Sequence, residues 1–357
     1  MYANWNKKKI DEQIKSVTKA FYATPSQELA MTLNMLEDLK NNKPRIFTHE
    51  DRFDEQLVTD KNLVHKHSNF LNEIETFSKL DDVFGIKNIE PLEEREIPTK
   101  MLLSFVHDFY NSTDKDFARY FNKIYKERRN NLRLTNRNIT GYNRNYMTYL
   151  NAINYAYVNI SLTHTIDDFI NIIHEYAHTI ADQMHYRPRY GKYPFIELLP
   201  LLMQEIGYDE VLRCFENVEA DVMKSDACTT KTVLKYAKEL LVQSDYLSIV
   251  NEGTERKHFV NSLAEYTNNT RSKTEKMLNV TIQEKLSYVI PFILMIELYD
   301  MFYEDEEKCL YITKKILTMD EVEDYVEYLK TLGINLNEHA EEYITNQKKI
   351  LTLHAGV

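Results

Sequence analysis

The chain has 357 residues, enough to bury a large core without disulfide or metal staples. Its formal net charge of -11 argues against the concentrated basic face that a nucleic-acid backbone demands. Seven glycines and eight prolines are few for a sandwich or barrel, and the plentiful Leu, Ile, Lys, Glu and Tyr point to a mainly α protein.

The N-terminus lacks the apolar core of a signal segment. Residues 1–97 read as helices broken by polar joints, with Thr24-Pro25 as a helix start and Leu29, Leu33, Leu36 and Leu39 following at helical spacing. Pro91 and Pro98 bracket the charged residues 93–96, which places a boundary between a helical lobe, 1–97, and the remainder, 98–357. Two further helices are expected over residues 101–129, the second opened by Ser112 or Thr113. The short basic run from Lys126 to Arg129, followed by Arg133 and Arg137, flanks a helix end.

The pattern then changes. Residues 133–138, 146–150 and 153–162 are short and rich in Tyr, Thr, Ile and Val, with Gly141 and Asn-rich turns between, so they read as a small set of strands. Tyr155, Tyr157, Asn159 and Ser161 alternate with Ala156, Val158, Ile160 and Leu162, as expected of a half-buried strand. Thr165 to Asp168 has the form of a capping box, with Asp168 reaching back to the Thr165 amide. The helix it opens carries Phe169, Ile173, Ala177, Ile180 and Met184. From Pro194 onward the chain reads as helices. Its longest apolar stretch, residues 288–296, is too short to span a bilayer, so no membrane is expected. Cys214, Cys228 and Cys309 form no C-x-x-C pair, which fits a reducing, cytoplasmic setting.

Chemistry concentrates in His174-Glu175-Tyr176-Ala177-His178. Two histidines four apart lie one turn apart on one side of a helix, so both imidazoles can reach one ion at about 2.0–2.1 Å. Glu175, the residue after the first histidine, lies beside that face, where a glutamate can take a proton from metal-bound water. A catalytic zinc takes three protein ligands and keeps a fourth position for water. Glu197, with eighteen residues between it and His178, is the candidate third ligand. Its neighbours, Phe195 to Met203, are so apolar that a carboxylate there would be costly to bury unless paired or metal-bound. Glu205 is the alternative. Residues 184–192, with His185, Tyr186, Arg187, Arg189 and Tyr190, read as a solvated loop. His107, His164 and His258 have no metal spacing.

These segments resemble the oligoendopeptidase F and thimet oligopeptidase family of zinc metallopeptidases. The resemblance lies in Tyr157-Val158-Asn159-Ile160 leading through Thr165 to Asp168 into the histidine motif, then Glu197 to Pro200, and a later stretch from Leu286 to Pro291. It covers roughly residues 100 to 345. The chain departs from the pattern at Ala177, where glycine is usual, and at Gln204, where a second glutamate is usual. The resemblance implies a helical zincin-type fold with a small β-sheet beside the active-site helix and a deep substrate channel. It implies one zinc ion (Zn2+) per chain on His174, His178 and Glu197, Glu175 as general base, Tyr288 stabilising the tetrahedral intermediate, and short peptides as substrates. It would also place the strand over residues 153–162 beside the cleft, with an edge open to an extended peptide.

The expected reaction is hydrolysis of internal bonds in short peptides, and 98–357 would be the catalytic domain. Two other readings are a zinc aminopeptidase of another lineage and a peptide-binding protein of the same fold that no longer turns over. Retention of Glu175 speaks against the last, since a binding module does not need it.

Overall fold

The computed structural model describes residues 7–24, 27–40, 49–136, 145–150, 155–184, 194–251, 253–320 and 322–355. By packing, the chain gathers into two units, each discontinuous in sequence: residues 1–46 with 94–188, and residues 47–93 with 189–357. These groupings cross the residue-97 boundary expected from sequence, because helices early in the chain find their partners far along it.

The first unit holds α1 (Lys7–Ala23), α2 (Gln27–Lys40), three helices α6 (Thr99–Thr113), α7 (Lys115–Tyr125) and α8 (Arg128–Asn131), a sheet, and helix α9 (Asp167–Met184). Phe21, Leu33 and Tyr157 bury together with Leu29, so the leucine repeat of α2 packs on the sheet. The ring of Phe21 meets Tyr157 edge-on at 5.5 Å. Helix α7 begins one residue later than the sequence suggests: Asp114, not Ser112 or Thr113, is its cap, accepting from the amides of Asp116 and Phe117. Ser112 and Thr113 instead donate back to the Phe109 carbonyl within α6.

The sheet has three strands in the order β1 (Leu132–Asn136), β3 (Tyr155–Leu162), β2 (Tyr146–Leu150), with β1 parallel and β2 antiparallel to β3. Two expectations about β3 change here. It is buried on both faces, Val158 and Ile160 on one side and Tyr157, Asn159 and Ser161 on the other, because it is central and not half-exposed. Among the described residues β3 pairs with β2 over residues 155–159 and with β1 over residues 158–162, so it is the central strand, and the sheet's outer edges belong to β1 and β2. Arg137, Gly141 and Ile153 lie outside the described residues.

The second unit holds α3 (His49–Lys66), α4 (Ser68–Ser78), α5 (Leu80–Phe84) and everything from α10 (Leu198–Cys214) onward. The later elements are α11 (Glu219–Ile249), α12 (Arg256–Tyr266), α13 (Arg271–Leu278), α14 (Ile282–Glu304), α15 (Glu306–Thr318), α16 (Tyr325–Thr331) and α17 (Ala340–Ala355). Helix α14 packs against α10, α11 and α15. It opens with a true capping box, Thr281 and Glu284 each bonding the other's amide. At 23 residues it exceeds the apolar stretch within it and is long and apolar enough by composition to cross a bilayer. Yet 61% of its apolar window is buried within the protein. Lys285 on this helix has 0% side-chain exposure and pairs with Glu239 at 3.2 Å. It also donates to Gln243 and to the Met277 carbonyl. Past α14, Asp305 caps α15, and Glu306 and Glu307 are exposed in its first turn.

Candidate metal centre

Helix α9 is an amphipathic helix held from three sides. Ile170, Ile173, Ala177 and Ala181, the stripe legible from spacing, are all buried. Phe105 meets Phe169 edge-on at 4.8 Å, and Phe121 and Tyr125 pack edge-on against Tyr176. The Tyr110 hydroxyl donates to the Ile173 carbonyl at 2.5 Å, clamping the turn that presents His174.

The start of α9 differs from the expected capping box. Asp168 does reach back, but to the amides of Thr163 and His164, at 2.7 and 2.9 Å, and to the Thr163 hydroxyl. The Thr165 hydroxyl accepts from the Asp167 amide at 3.3 Å. At this turn His164 adopts a left-handed backbone with φ 57°, and its own amide and that of Thr163 face the helix start.

His174 and His178 are half-buried and neighbouring, their ring centroids 5.0 Å apart at 78°. That is the juxtaposition the i, i+4 spacing dictates. Glu175 is only 6% exposed. One turn beyond His178 stands Asp182, whose carboxyl burial pushes up to about 6, opposed by His178. Sequence reading passed over Asp182, although its place four residues after a candidate ligand was a signal.

Glu197 belongs to the second unit, at the N-cap position of α10, and is 8% exposed. The turn before the helix is anchored by Phe195, fully buried against Phe70 and Tyr325. Pro200 sits in the first turn, where its missing amide hydrogen costs nothing. The alternative ligand Glu205 is buried about two turns into α10 and accepts from the Tyr343 hydroxyl at 3.1 Å. Tyr343 bonds Asp226 as well, at 3.1 Å, and Gln347 donates to the other Asp226 oxygen. Gln204 turns to Tyr208 and Thr229. Tyr288 is half-buried on α14, its ring edge-on to Tyr236 at 6.2 Å. The loop over residues 185–193 lies outside the described residues.

Burial, reinforced by the Asp226 charge, holds Glu205 well above the usual carboxylate range, and burial pushes Asp226 up to about 6 despite its bonds from Gln347 and Tyr343. Two carboxyl groups so placed favour a shared proton. Since both groups are raised above the unfolded chain, the stability they supply is complete below about pH 4 and is lost as pH rises, through about 6 for Asp226 and higher still for Glu205. Glu205→Gln removes one titrating partner. It is expected to flatten the fall in melting temperature between pH 5 and 8; parallel profiles for the variant and the parent would show that the pair titrates normally.

Among the described residues, one group of histidine and carboxylate side chains has the composition to hold a metal ion: His174, His178 and Glu197. Two imidazoles and a carboxylate make a three-ligand set of the kind that leaves a fourth position of a tetrahedral ion to water.

The mainly helical fold with its small sheet is similar to that of solved peptidases. One is PZ peptidase A with an inhibitor, at 9% identity and TM-score 0.52, over 98% of this chain and 66% of that one. A second is described as an oligoendopeptidase F from Bacillus anthracis strain Ames, at 12% identity and TM-score 0.51, over 98% of this chain and 63% of that one. A third, also described as an oligoendopeptidase F, has 9% identity and TM-score 0.54, with 98% and 65% covered. The chain thus spans about two thirds of the length of the structures it matches, and at these identities the likeness is one of fold. No family model matches the sequence, and no curated protein does either. The family resemblance read from the motifs is therefore met at the level of the fold.

Proposed function

We propose that this chain is a zinc-dependent oligopeptidase that hydrolyses internal bonds of short peptides, with His174, His178 and Glu197 holding one zinc ion per chain. The observation that carries this reading is the paired imidazoles of α9 with a buried glutamate between them in sequence, on the fold of solved peptidases. When bound, the ion supplies Lewis-acid polarisation of a carbonyl oxygen and lowers the pKa of a water towards ~7.

The chain's own residues do the rest. Glu175, buried beside the two histidines on a helix held rigid by Tyr110 and Tyr176, accepts a proton from the attacking water and later delivers it to the leaving amine. One group serves both transfers because the amine leaves only after it has been protonated. Tyr288 donates a hydrogen bond to the oxyanion as it develops, a contact worth most when that charge appears.

A digest of mixed peptides, with and without a chelator, tests the proposal. Internal cuts that stop on chelation and return with zinc are expected; sequential loss of N-terminal residues would mean an aminopeptidase, and no cuts a binding protein. In parallel, metal analysis is expected to find about one zinc per chain, and His174→Ala, His178→Ala or Glu197→Ala to remove most of it. Full zinc in Glu197→Ala with loss in Glu205→Ala would overturn the third ligand.

A further inference from the structure

Within the second unit, α5, α11 and the stretch from α12 to α13 enclose a cavity of about 480 Å³, a size suited to a drug-sized ligand. Lys235, Lys238, Lys273 and Lys276 stand around it, with Tyr266 and Met277 supplying aromatic and apolar wall. In a chain with a net charge of -11, four ammonium groups around one cavity are a local reversal of sign.

The acidic residues at the cavity do not cancel that charge. Asp81 is held by Lys238 at 2.6 Å, with Asp82 3.6 Å from the same ammonium. Glu239 is taken by the buried Lys285 at 3.2 Å, and stands 3.7 Å from Lys235. Of the residues that line the cavity, four are lysines and two, Asp81 and Glu239, are carboxylates. Lys273 and Lys276, on successive turns' worth of α13, pair with no carboxylate among the described residues. The nearby Glu275 is engaged by Arg271 at 3.0 Å.

Tyr266 is 51% exposed at the cavity rim, and its ring leans on Tyr246 at 5.5 Å. An exposed tyrosine ring steadied by a second aromatic ring can serve as a stacking platform for a flat ring. Asn269, on the turn that follows, adds an amide able to donate and accept, and its own backbone amide is tied to the Ala264 carbonyl.

We propose that this cavity binds a nucleotide carrying two or three phosphates, the base stacked on Tyr266 and the phosphates bound by Lys273, Lys276 and Lys235. A chain of phosphates presents several charges within reach of separate point-charge ammoniums, which suits lysines better than a single carboxylate ligand would. The base has an aromatic wall, and Met277 and Val242 cover its edge.

The test is calorimetric titration of the full chain with ATP, with inorganic triphosphate and with adenosine, at low salt and without added magnesium. Saturable ATP binding is expected, weakened about tenfold or more by Lys273→Glu combined with Lys276→Glu, and weakened steeply by 0.3 M salt. Tyr266→Ala is expected to reduce ATP affinity while leaving triphosphate unchanged. His174→Ala is expected to bind ATP as the parent does, which separates this cavity from phosphate captured at the zinc site and makes the result independent of peptidase activity. Absence of saturable ATP binding at millimolar concentration overturns the proposal, as does binding that survives the double lysine change or disappears in His174→Ala. Equal binding of ATP and triphosphate, insensitive to Tyr266→Ala, overturns the nucleotide assignment. Unchanged melting temperatures establish that these surface variants fold.

Discussion

Glu175→Gln is expected to keep zinc and melting temperature while losing on the order of 10³ or more in kcat, within the range that positioned acid–base groups contribute. The amide has nearly the shape of the carboxylate but cannot accept the proton of water. The helix should not notice the change, because α9 is fastened through Tyr176 against Phe121 and Tyr125, through Phe169 against Phe105, and through the Tyr110 bond to Ile173. Metal analysis, thermal melting and turnover of an internally quenched peptide give the three readings. Undiminished turnover in a zinc-loaded variant would falsify the general-base role.

Tyr288→Phe is the second large effect, a fall in kcat of about 10²–10³ with little change in KM or zinc content. Its ring lies edge-on to Tyr236, a contact that phenylalanine preserves, so melting temperature should hold. Reduced stability with near-normal turnover would instead assign the hydroxyl to packing. Because the two outcomes move different observables, one variant decides between them.

The helix that presents the histidines was legible residue by residue, since its apolar stripe and its i, i+4 pair depend on helical geometry alone. Asp168 was recognisable as a capping carboxylate, but not which amides it caps. That depends on the left-handed turn at His164, a conformation a histidine adopts too seldom for sequence to announce it. The alternation in β3 was equally visible, yet it led to a half-exposed strand. Strand order places β3 between β1 and β2, and helices α1 and α2 cover Tyr157, so polar positions that usually face water are enclosed. The Ser161 amide, for instance, finds its acceptor in the Asn145 side chain at 2.8 Å.

What the sequence determined by itself was local: the mainly helical character, the i, i+4 spacing of His174 and His178, and the placing of Glu175 beside them. Periodicity and spacing suffice for these because each rests on the regular rise and turn of one helix. Tertiary structure decided everything that joins distant residues. It pairs Lys285 with Glu239, encloses Glu205 with Asp226 under Tyr343, and gathers lysines of α11 and α13 around one cavity. Burial makes each of these charges consequential, and burial is a property of the assembled core that no single segment carries.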